Sequence, residues 1–262
     1  MTAVAVRELR RLEELRAVQE LAGQVWGFED RQLPSTSDLQ VVHHVGGLTA
    51  GAFVGRELVG FVHGLPRTNL SAACHHSHML AVRSDFQGRG IAVRLKLFQR
   101  TWCLKRGIGL VTWTYDPLLV RNARLNLVRL GARAWRFIED AYGRLGGLYG
   151  GLPTDRFEVY WRLQSREVER AARGLFEEPS DAALFPRAIS GRRPAPRRIA
   201  VEIPAGAPGL YTRDPARASL ARASLRRTSR SLFSRGYEAV SIVPSGETAL
   251  YVFERGGRPG PH

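Results

Sequence analysis

The hydrophobic and polar positions near the start of the chain follow first strand-like and then helix-like spacing. Residues 3–8 alternate as in a strand, and the next segment has apolar residues at helical intervals, namely Leu12, Leu15, Val18, Leu21, Ala22 and Val25. This pattern predicts a strand followed by an amphipathic helix that ends near Gly27. A second short helix is predicted to begin at one of the capping residues 35–37 and to end at Gly46 and Gly47.

Further along, the pattern predicts strands and helices in alternation. Two strands flank the turn residues 55–57, and "SHMLAV" (77–82) and "GLVTWTYDP" (109–117) are strands on either side of a helix over 88–107. A helix over 120–131 and a strand over 156–163 complete the order β-α-α-β-β-β-α-β-α-β. The strand–helix–strand at 78–115 fits a parallel crossover, so the fold class is α/β or α+β.

A change in composition predicts a domain boundary. Residues 164–198 are charged and proline-rich, which indicates a helix and a linker. Beyond it, residues 199–262 show a strand, a long helix and two strands, a small β-α-β-β unit. We therefore expect a first domain at 1–163, a helix and linker at 164–198, and a C-terminal extension at 199–262 that packs on the first domain because it is small.

Composition and charge limit the functional classes. The 262 residues carry a net charge of +15, and of the 39 basic residues only Lys96 and Lys105 are lysine. Arginines are scattered among acids until about residue 170, and only the tail is basic in blocks, as in "GRRPAPRR" and "ARASLRRTSR". This argues against nucleic acid as the main partner, although binding through the basic tail stays open. Cys74 and Cys103 have no metal-ligand spacing and are expected to be buried thiols.

No segment of the sequence predicts a membrane span or a secretory signal. The apolar runs are shorter than the 18 residues or more that a spanning helix needs, and the N-terminal segment turns charged early. We expect a cytoplasmic protein with no membrane partner, and a homodimer is left open.

A glycine-rich turn follows the strand "SHMLAV". Gln87, Gly88, Arg89, Gly90 and Ala92 stand at the start of the predicted helix. A helix N-terminus leaves its first N–H groups unpaired and carries partial positive charge, so such a turn favours a phosphate or pyrophosphate. A plain strand-to-helix turn is the alternative. The sequence is neither a GxxxxGK[ST] P-loop nor a dinucleotide GxGxxG motif.

The spacing Gln87-x-x-Gly90-x-Ala92 resembles the [QR]-x-x-G-x-[GA] pyrophosphate loop of the GNAT superfamily of acyl-CoA-dependent N-acyltransferases. Leu80-Ala81-Val82 stands where that family has a strand written L-x-V, and the element order is also similar. The resemblance covers about residues 3–163. "SHML", "WTYDPLLVRNARLN" and "LPTDRF" together look like a less studied branch with a C-terminal extension, which has been linked with acylation, including succinylation, of amino acids.

The resemblance implies a mixed central sheet with a gap between the strands at 78–82 and 109–115. Acetyl-CoA or another acyl-CoA, as co-substrate, would lie in this gap, and no metal is expected. The implied cofactor-binding residues are Leu80, Ala81, Val82, Gln87, Gly88, Arg89, Gly90, Ile91, Ala92 and Asn122. Backbone N–H near Leu80 would polarise the thioester carbonyl.

The family's usual acid catalyst is missing from the expected position. A tyrosine often stands four residues before the glycine that ends the helix, and Leu127 occupies that place. Tyr149 is the predicted substitute, with Tyr115 and Tyr142 as alternatives. His78 is the candidate general base: if 76–82 is extended, His76, His78 and Leu80 share one face. A zinc site on these histidines and simple packing are the alternatives to catalysis.

The acceptor is expected to be a small-molecule amine such as an amino acid. The resemblance places the acceptor pocket at the first two helices and the late strands, which selects Trp26, Glu29, Arg121 and Arg156, with an arginine to bind a carboxylate. The predicted function is N-acyl transfer, of acetyl or succinyl, by direct attack in a ternary complex. A non-catalytic acyl-CoA-binding or regulatory module and a nucleic-acid-associated protein are the alternatives.

Overall fold

The structure is a computed structural model that describes residues 3–28, 32–70, 72–145, 151–176, 185–186, 196–205, 211 and 213–256. The described chain divides into two compact units, the first ending at Trp113 and the second beginning at Thr114. The division falls inside one strand, because Thr114 and Tyr115 are the last residues of β5 (Leu110–Tyr115). The predicted domain boundary at 164–198 lies elsewhere and stays a prediction.

The first unit contains a sheet with helices packed on it. Its elements in chain order are β1 (Val4–Glu8), α1 (Leu12–Trp26), α2 (Thr36–His44), β2 (Leu48–Val54), β3 (Glu57–Arg67), β4 (Cys74–Val82), α3 (Ile91–Leu104) and most of β5. The strands lie in the order β1-β2-β3-β4-β5. Neighbours are antiparallel except β4 and β5, which pair in parallel, as the strand–helix–strand pattern predicts.

The periodicity of α1 is explained by its packing. Leu15, Val18, Leu21 and Ala22 of this helix are buried in one cluster with Phe61 of β3 and Ala81 of β4. A helix that buries one apolar stripe against a sheet gains most of its stability from that contact. One face of β3 and β4 is therefore covered by α1, and we call it the α1 face.

Strand β4 carries an irregularity that moves one side chain. Its pairing with β3 steps from His63↔Met79 to Gly64↔Ser77, so His78 is an extra residue without an opposing partner on β3. This is a β-bulge, in which two residues of one strand oppose one residue of its neighbour.

The second unit holds the remaining elements. They are α4 (Val120–Ala123), β6 (Arg133–Ile138), β7 (Arg156–Arg162), α5 (Arg166–Ala172), β8 (Arg198–Pro204), α6 (Pro215–Ser234), β9 (Tyr237–Ser245) and β10 (Thr248–Arg255). The strands lie in the order β7-β6-β9-β10-β8, with antiparallel neighbours. The predicted β-α-β-β order of the C-terminal segment appears as β8, α6, β9 and β10. Phe157 is central to this unit's core, since its ring contacts those of Tyr115, Phe137, Phe233, Tyr251 and Phe253.

The predicted mixed α/β fold is confirmed, with two local corrections. The single helix predicted over 120–131 is instead the short α4 followed by a π-helical segment, Arg124–Arg129, closed by Leu130 N–H donating to the carbonyl of Leu125. β6 has no counterpart among the predicted elements, because the arginines of "RAWRFI" hide its alternation. Cys74 and Cys103 are both buried thiols. In the described ranges no helix is long and apolar enough to cross a membrane.

Candidate functional site

The glycine-rich turn between β4 and α3 has the backbone that its glycines permit. Gly88 and Gly90 have φ angles of 79° and 76°, in the left-handed region that glycine adopts most easily. α3 begins directly afterwards, at Ile91. A Cβ atom built on either glycine meets nothing within 4 Å. The turn is therefore exposed, and its glycines leave open space beside the first turn of the helix.

α3 lacks the side-chain cap that comparable helices have. The N-cap residues of α2, α5 and α6 are Ser35, Ser165 and Asp214, and each side chain accepts a backbone N–H from the first turn. α1 is capped by the Glu14 carboxylate. At α3 the N-cap is Gly90, and no side chain in the described part of the chain caps the helix. Its first N–H groups are thus available to an external acceptor, and their partial positive charge favours an anion.

The side chains around this turn hold it in place. Gln87 donates from Nε2 to the carbonyl oxygen of Val82 at 2.9 Å, which ties the turn to the end of β4. Arg89 is exposed, with its guanidinium 4.8 Å from the centre of the Phe86 ring. Arg83 is paired with Glu57 and Asp85. Of these two arginines, Arg89 is the one that is exposed to solvent.

The strand that precedes the turn leaves its parallel neighbour early. The ladder between β4 and β5 consists of Cys74↔Leu110, His75↔Val111 and His76↔Thr112. β4 then continues from Ser77 to Val82, with its other edge paired to β3. Leu80, Ala81 and Val82 lie in this continuation, where a gap between the two strands is predicted.

The bulge decides where His78 points. The rings of His76 and His63 lie 6.3 and 6.5 Å from the His78 ring, so these three side chains share the α1 face. Met79 and Ala81 pack on the same cluster as α1, so Leu80, which lies between them, projects to the opposite face. The expectation that His78 and Leu80 share a face was therefore wrong, because the extra residue shifts the alternation.

Burial and neighbouring charges keep these histidines neutral. Burial lowers the pKa of His63 to about 4, that of His75 to about 3 and that of His76 to about 4. His63 Nδ1 is also hydrogen-bonded to the Thr49 hydroxyl at 2.9 Å. His78 is more exposed, but desolvation by the surrounding protein still lowers its pKa below the usual value. A neutral imidazole at neutral pH is able to accept a proton.

The depressed pKa values predict an acid-sensitive fold. The unfolded chain takes up protons on His63 and His75 with ordinary pKa values near 6.5, whereas the folded chain does so only near pH 4 and 3. Stability is therefore present above pH 6.5 and is lost as the pH falls. Each of these two histidines is expected to remove roughly 1 kcal/mol from the free energy of unfolding between about pH 6.5 and pH 5.5. Urea unfolding at both pH values measures this, and equal free energies would contradict it.

A buried polar chain that was not predicted from the sequence lies on the other face of β4. Lys96 Nζ on α3 donates to Ser77 Oγ at 3.0 Å and to Gln99 Oε1 at 2.6 Å, and Gln99 Nε2 is 3.0 Å from His75 Nε2. Lys96 Nζ also lies 3.8 Å from the centre of the Trp113 ring. Burial lowers the pKa of Lys96 to about 7. The scarcity of lysine in this arginine-rich chain was the available sequence signal.

Trp26, the predicted substrate-binding residue of the first unit that the structure describes, packs against the hydrophobic core. Trp26 packs its ring against Phe28 and Phe61, at 5.8 and 6.0 Å between ring centres, and borders the core cluster. That is a packing position rather than an open one. Glu29 and Tyr149 lie outside the described residues.

Three predicted site residues lie in the second unit. Asn122 and Arg121 are exposed on α4. Arg156 is buried, with its guanidinium 3.6 Å from the Asp116 carboxylate. Its charge already has an acidic partner, which weakens its assignment to a substrate carboxylate. The predicted residues at 78–92 thus lie together in the first unit, whereas Asn122, Arg121 and Arg156 lie in the second.

The candidate acids of the second unit differ in exposure. Leu127 is buried in the π-helical segment. Tyr115 is buried, its hydroxyl lies 3.3 Å from that of Tyr251, and burial raises its pKa far above the usual value. Tyr142 is exposed, with its hydroxyl 3.3 Å from Thr114 Oγ1. Of the tyrosines that the structure describes here, Tyr142 is the better placed to exchange a proton with solvent.

The described part of the chain contains no set of side chains arranged to bind a metal ion. No group of three or more histidine, cysteine, aspartate and glutamate side chains is arranged there to hold an ion. The histidines of β3 and β4 contact one another through ring edges and faces at more than 6 Å between centres.

Comparison with proteins of known structure agrees with this geometry. The ribosomal-protein-S18-alanine N-acetyltransferase of Escherichia coli superposes with a TM-score of 0.51 at 13% identity, covering 62% of this chain and 96% of its own. A GNAT-family protein of Desulfovibrio desulfuricans gives 0.51 at 15% identity, with 62% and 99% covered. NAA60 of Arabidopsis thaliana, solved with a bisubstrate analogue, gives 0.50 at 16%, with 61% and 97% covered. At these identities the likeness shows the fold alone.

Sequence comparison supplies the family. No curated protein is similar to this chain by sequence. The profile of the acetyltransferase (GNAT) family matches residues 9–126, a range that contains β4, the glycine-rich turn and α3. This match, the GNAT neighbours in structure and the uncapped helix after β4 agree. Residues 9–126 of this chain are therefore a GNAT-family acetyltransferase domain, in a family that uses acetyl-CoA.

Proposed function

We propose that this protein transfers an acyl group, acetyl or succinyl, from acyl-CoA to the amine of a small molecule such as an amino acid. The observation that carries the proposal is the N-terminus of α3, which is uncapped, exposed and preceded by two glycines in the left-handed conformation. Backbone N–H groups there are suited to the pyrophosphate of CoA. The acyl-pantetheine arm would follow β4 at residues 80–82, beyond the end of the β4–β5 ladder.

His78 is the group that we assign as general base. It lies on the bulge of β4, on the α1 face, and is exposed. Its lowered pKa keeps it neutral at neutral pH, so it accepts a proton from the attacking nitrogen. The resulting amide and the released thiol are the products. Tyr149 stays the proposed acid from the sequence, with Tyr142 as its alternative.

A carboxylate on the acceptor or on the acyl group would need a cation. Arg121 is exposed on α4, whereas Arg156 is paired with Asp116. Arg121 and Arg156 stay the two cations proposed for this contact from the sequence. An amino-acid acceptor and a dicarboxylic acyl donor both supply such a group.

The basic tail gives less support to a nucleic-acid partner. In "ARASLRRTSR" on α6, three of the four arginines pair with acids of the same unit: Arg222 with Asp116, Arg226 with Asp155 and Glu139, and Arg230 with Glu139. Arginines neutralised in this way contribute little to counterion release from a nucleic acid. The pairing favours a structural role for these arginines.

Thiol release measured over a panel of donors and acceptors tests the proposal. Acetyl-CoA, succinyl-CoA and CoA are titrated calorimetrically, and each acyl-CoA is then mixed with an amino-acid pool, a polyamine or a peptide with a free N-terminus. Saturable binding with thiol release that needs the amino-acid pool supports the proposal. Thiol release only with the peptide would indicate that the acceptor is a protein N-terminus rather than an amino acid. Binding without release would favour a non-catalytic module.

A further inference from the structure

Lys96 is an unusual residue in both sequence and structure. Of the 39 basic residues in the chain only Lys96 and Lys105 are lysine, so a lysine here departs strongly from the prevailing arginine. Its side chain is 1% exposed, whereas Lys105 is exposed at the end of the same helix. Lysine is rarely buried without a specific partner, and unlike arginine it can lose its proton inside a protein.

The side chain of Lys96 lies next to the point where β4 and β5 separate. The last pair of the parallel ladder is His76↔Thr112, and the next residues along the two strands are Ser77 and Trp113. Lys96 Nζ contacts both, at 3.0 Å from Ser77 Oγ and 3.8 Å from the centre of the Trp113 ring. The buried nitrogen therefore lies beneath the apex of the predicted gap between the strands.

The hydrogen bond to Ser77 has a direction. Lys96 donates and Ser77 Oγ accepts, so the hydroxyl keeps its own hydrogen for another acceptor. No acceptor for that hydrogen is seen in the described ranges of the chain. A serine hydroxyl backed by an ammonium group is suited to donate to an atom on which negative charge develops.

We propose that Ser77 donates a proton to the departing sulfur of CoA and that Lys96, acting through Ser77, replaces that proton. The inference rests on the proposed function, because it needs an acyl-CoA whose thioester lies at the end of the β4–β5 ladder. In this scheme Ser77, in place of Tyr149 or Tyr142, is the acid that Leu127 cannot provide. Ser77 is the catalytic residue of this pair, and Lys96 is a positioning residue.

Two proton transfers accompany the cleavage of the carbon–sulfur bond, one from Ser77 to sulfur and one from Lys96 to Ser77. After the amine attacks the thioester carbonyl, the carbon–sulfur bond breaks and its electron pair goes to sulfur. The Ser77 hydroxyl gives its proton to that sulfur while Lys96 Nζ gives a proton to Ser77 Oγ. CoA leaves as the thiol and Lys96 remains as a neutral amine. His78 takes the proton lost by the attacking nitrogen and releases it to solvent, and Lys96 takes up another.

The surroundings of Lys96 are compatible with this cycle. Desolvation is the main influence on its charge, which makes the neutral amine accessible. β5 contributes the uncharged Trp113 ring, and β3 presents Gly60 and Gly64 to this face. In the described part of the chain, the titratable groups that interact electrostatically with it include His75 and His76 of β4 and Cys103 of its own helix. Burial raises the pKa of Cys103 to about 12, so that thiol stays protonated.

The test compares Lys96→Met and Ser77→Ala with the parent protein. Lys105→Met is the matched control, since it removes the chain's other lysine from an exposed position. Three quantities are measured for each: acetyl-CoA affinity by calorimetry, kcat from thiol release between about pH 6 and pH 9, and the acylation state of Lys96 by mass spectrometry. If Lys96→Met does not fold, Ser77→Ala alone decides.

The proposal predicts a specific pattern. Both variants keep the parent's acetyl-CoA affinity, and their kcat near neutral pH is about 10²-fold lower than the parent's. In the parent, kcat decreases above about pH 7 as Lys96 loses its proton, and this decrease is absent from both variants. Lys105→Met behaves like the parent. Unchanged kcat and pH profile in both variants would overturn the relay while leaving the proposed function intact. An acyl group found on Lys96 Nζ would also overturn it, because lysine would then be a nucleophile. A parent without acyl-CoA binding or turnover would instead refute the proposed function, and the relay with it.

Discussion

Replacing Gly90 by aspartate is expected to weaken acetyl-CoA binding by about 10²-fold, because a carboxylate at the N-terminus of α3 repels the pyrophosphate that we place there. Gly90→Asn is the matched control. Asparagine and aspartate have nearly the same shape and both tolerate the left-handed conformation of Gly90 better than other side chains. A Cβ atom at this position meets nothing within 4 Å, so neither substitution creates a clash.

Stability measurements separate the charge effect from misfolding. A negative charge at a helix N-terminus is favourable to the helix, so Gly90→Asp should unfold at the same temperature as Gly90→Asn or higher. The expected result is therefore a variant that folds normally and binds acetyl-CoA poorly. Equal affinities of the two variants for acetyl-CoA would show that the pyrophosphate does not bind at the N-terminus of α3.

Replacing His78 by alanine should lower kcat by about 10²-fold or more if this imidazole accepts the proton of the attacking amine. The acetyl-CoA affinity should not change, because His78 points to the α1 face and lies away from the turn at 87–90. The exposed position of His78 makes chemical rescue feasible, and imidazole added to His78→Ala should restore part of the rate.

The pH dependence gives a second measure for His78. Its pKa is lowered, so the parent should lose activity on the acidic side only below about pH 6.5, as the imidazole becomes protonated. In His78→Ala this protonation no longer contributes to the profile. A normal rate with an unchanged pH profile in His78→Ala would show that His78 is not the general base and only packs against its neighbours. A slow variant that added imidazole does not rescue would indicate that the substitution damages the structure.

The sequence predicted the elements whose pattern is repeated over many residues. The stripe of apolar residues on α1 is the face that packs in the core, and the glycines at 88 and 90 adopt the left-handed conformation that a turn needs. The order of strands around the crossover followed from the same patterns. The turn at 87–92 was also recognisable, because glycine spacing and a following helix are local features.

Features that depend on non-local contacts could not be predicted. The bulge at His78 arises from pairing with β3, and no residue of "CHHSHML" signals it alone. The π-helical segment after α4 has the composition of an ordinary helix. The hydrogen bonds from Lys96 to Ser77 and from Gln99 to His75 join residues 19 and 24 positions apart, so only the rarity of lysine pointed to them.

Amide hydrogen exchange with and without acetyl-CoA reports on the N–H groups to which we assign the pyrophosphate. We expect slower exchange in the peptide that covers residues 87–94 when acetyl-CoA is bound. We expect no change at the N-terminus of α2, where Ser35 already caps the helix. Saturable binding of acetyl-CoA that leaves exchange at 87–94 unchanged would show that the pyrophosphate does not bind at the N-terminus of α3.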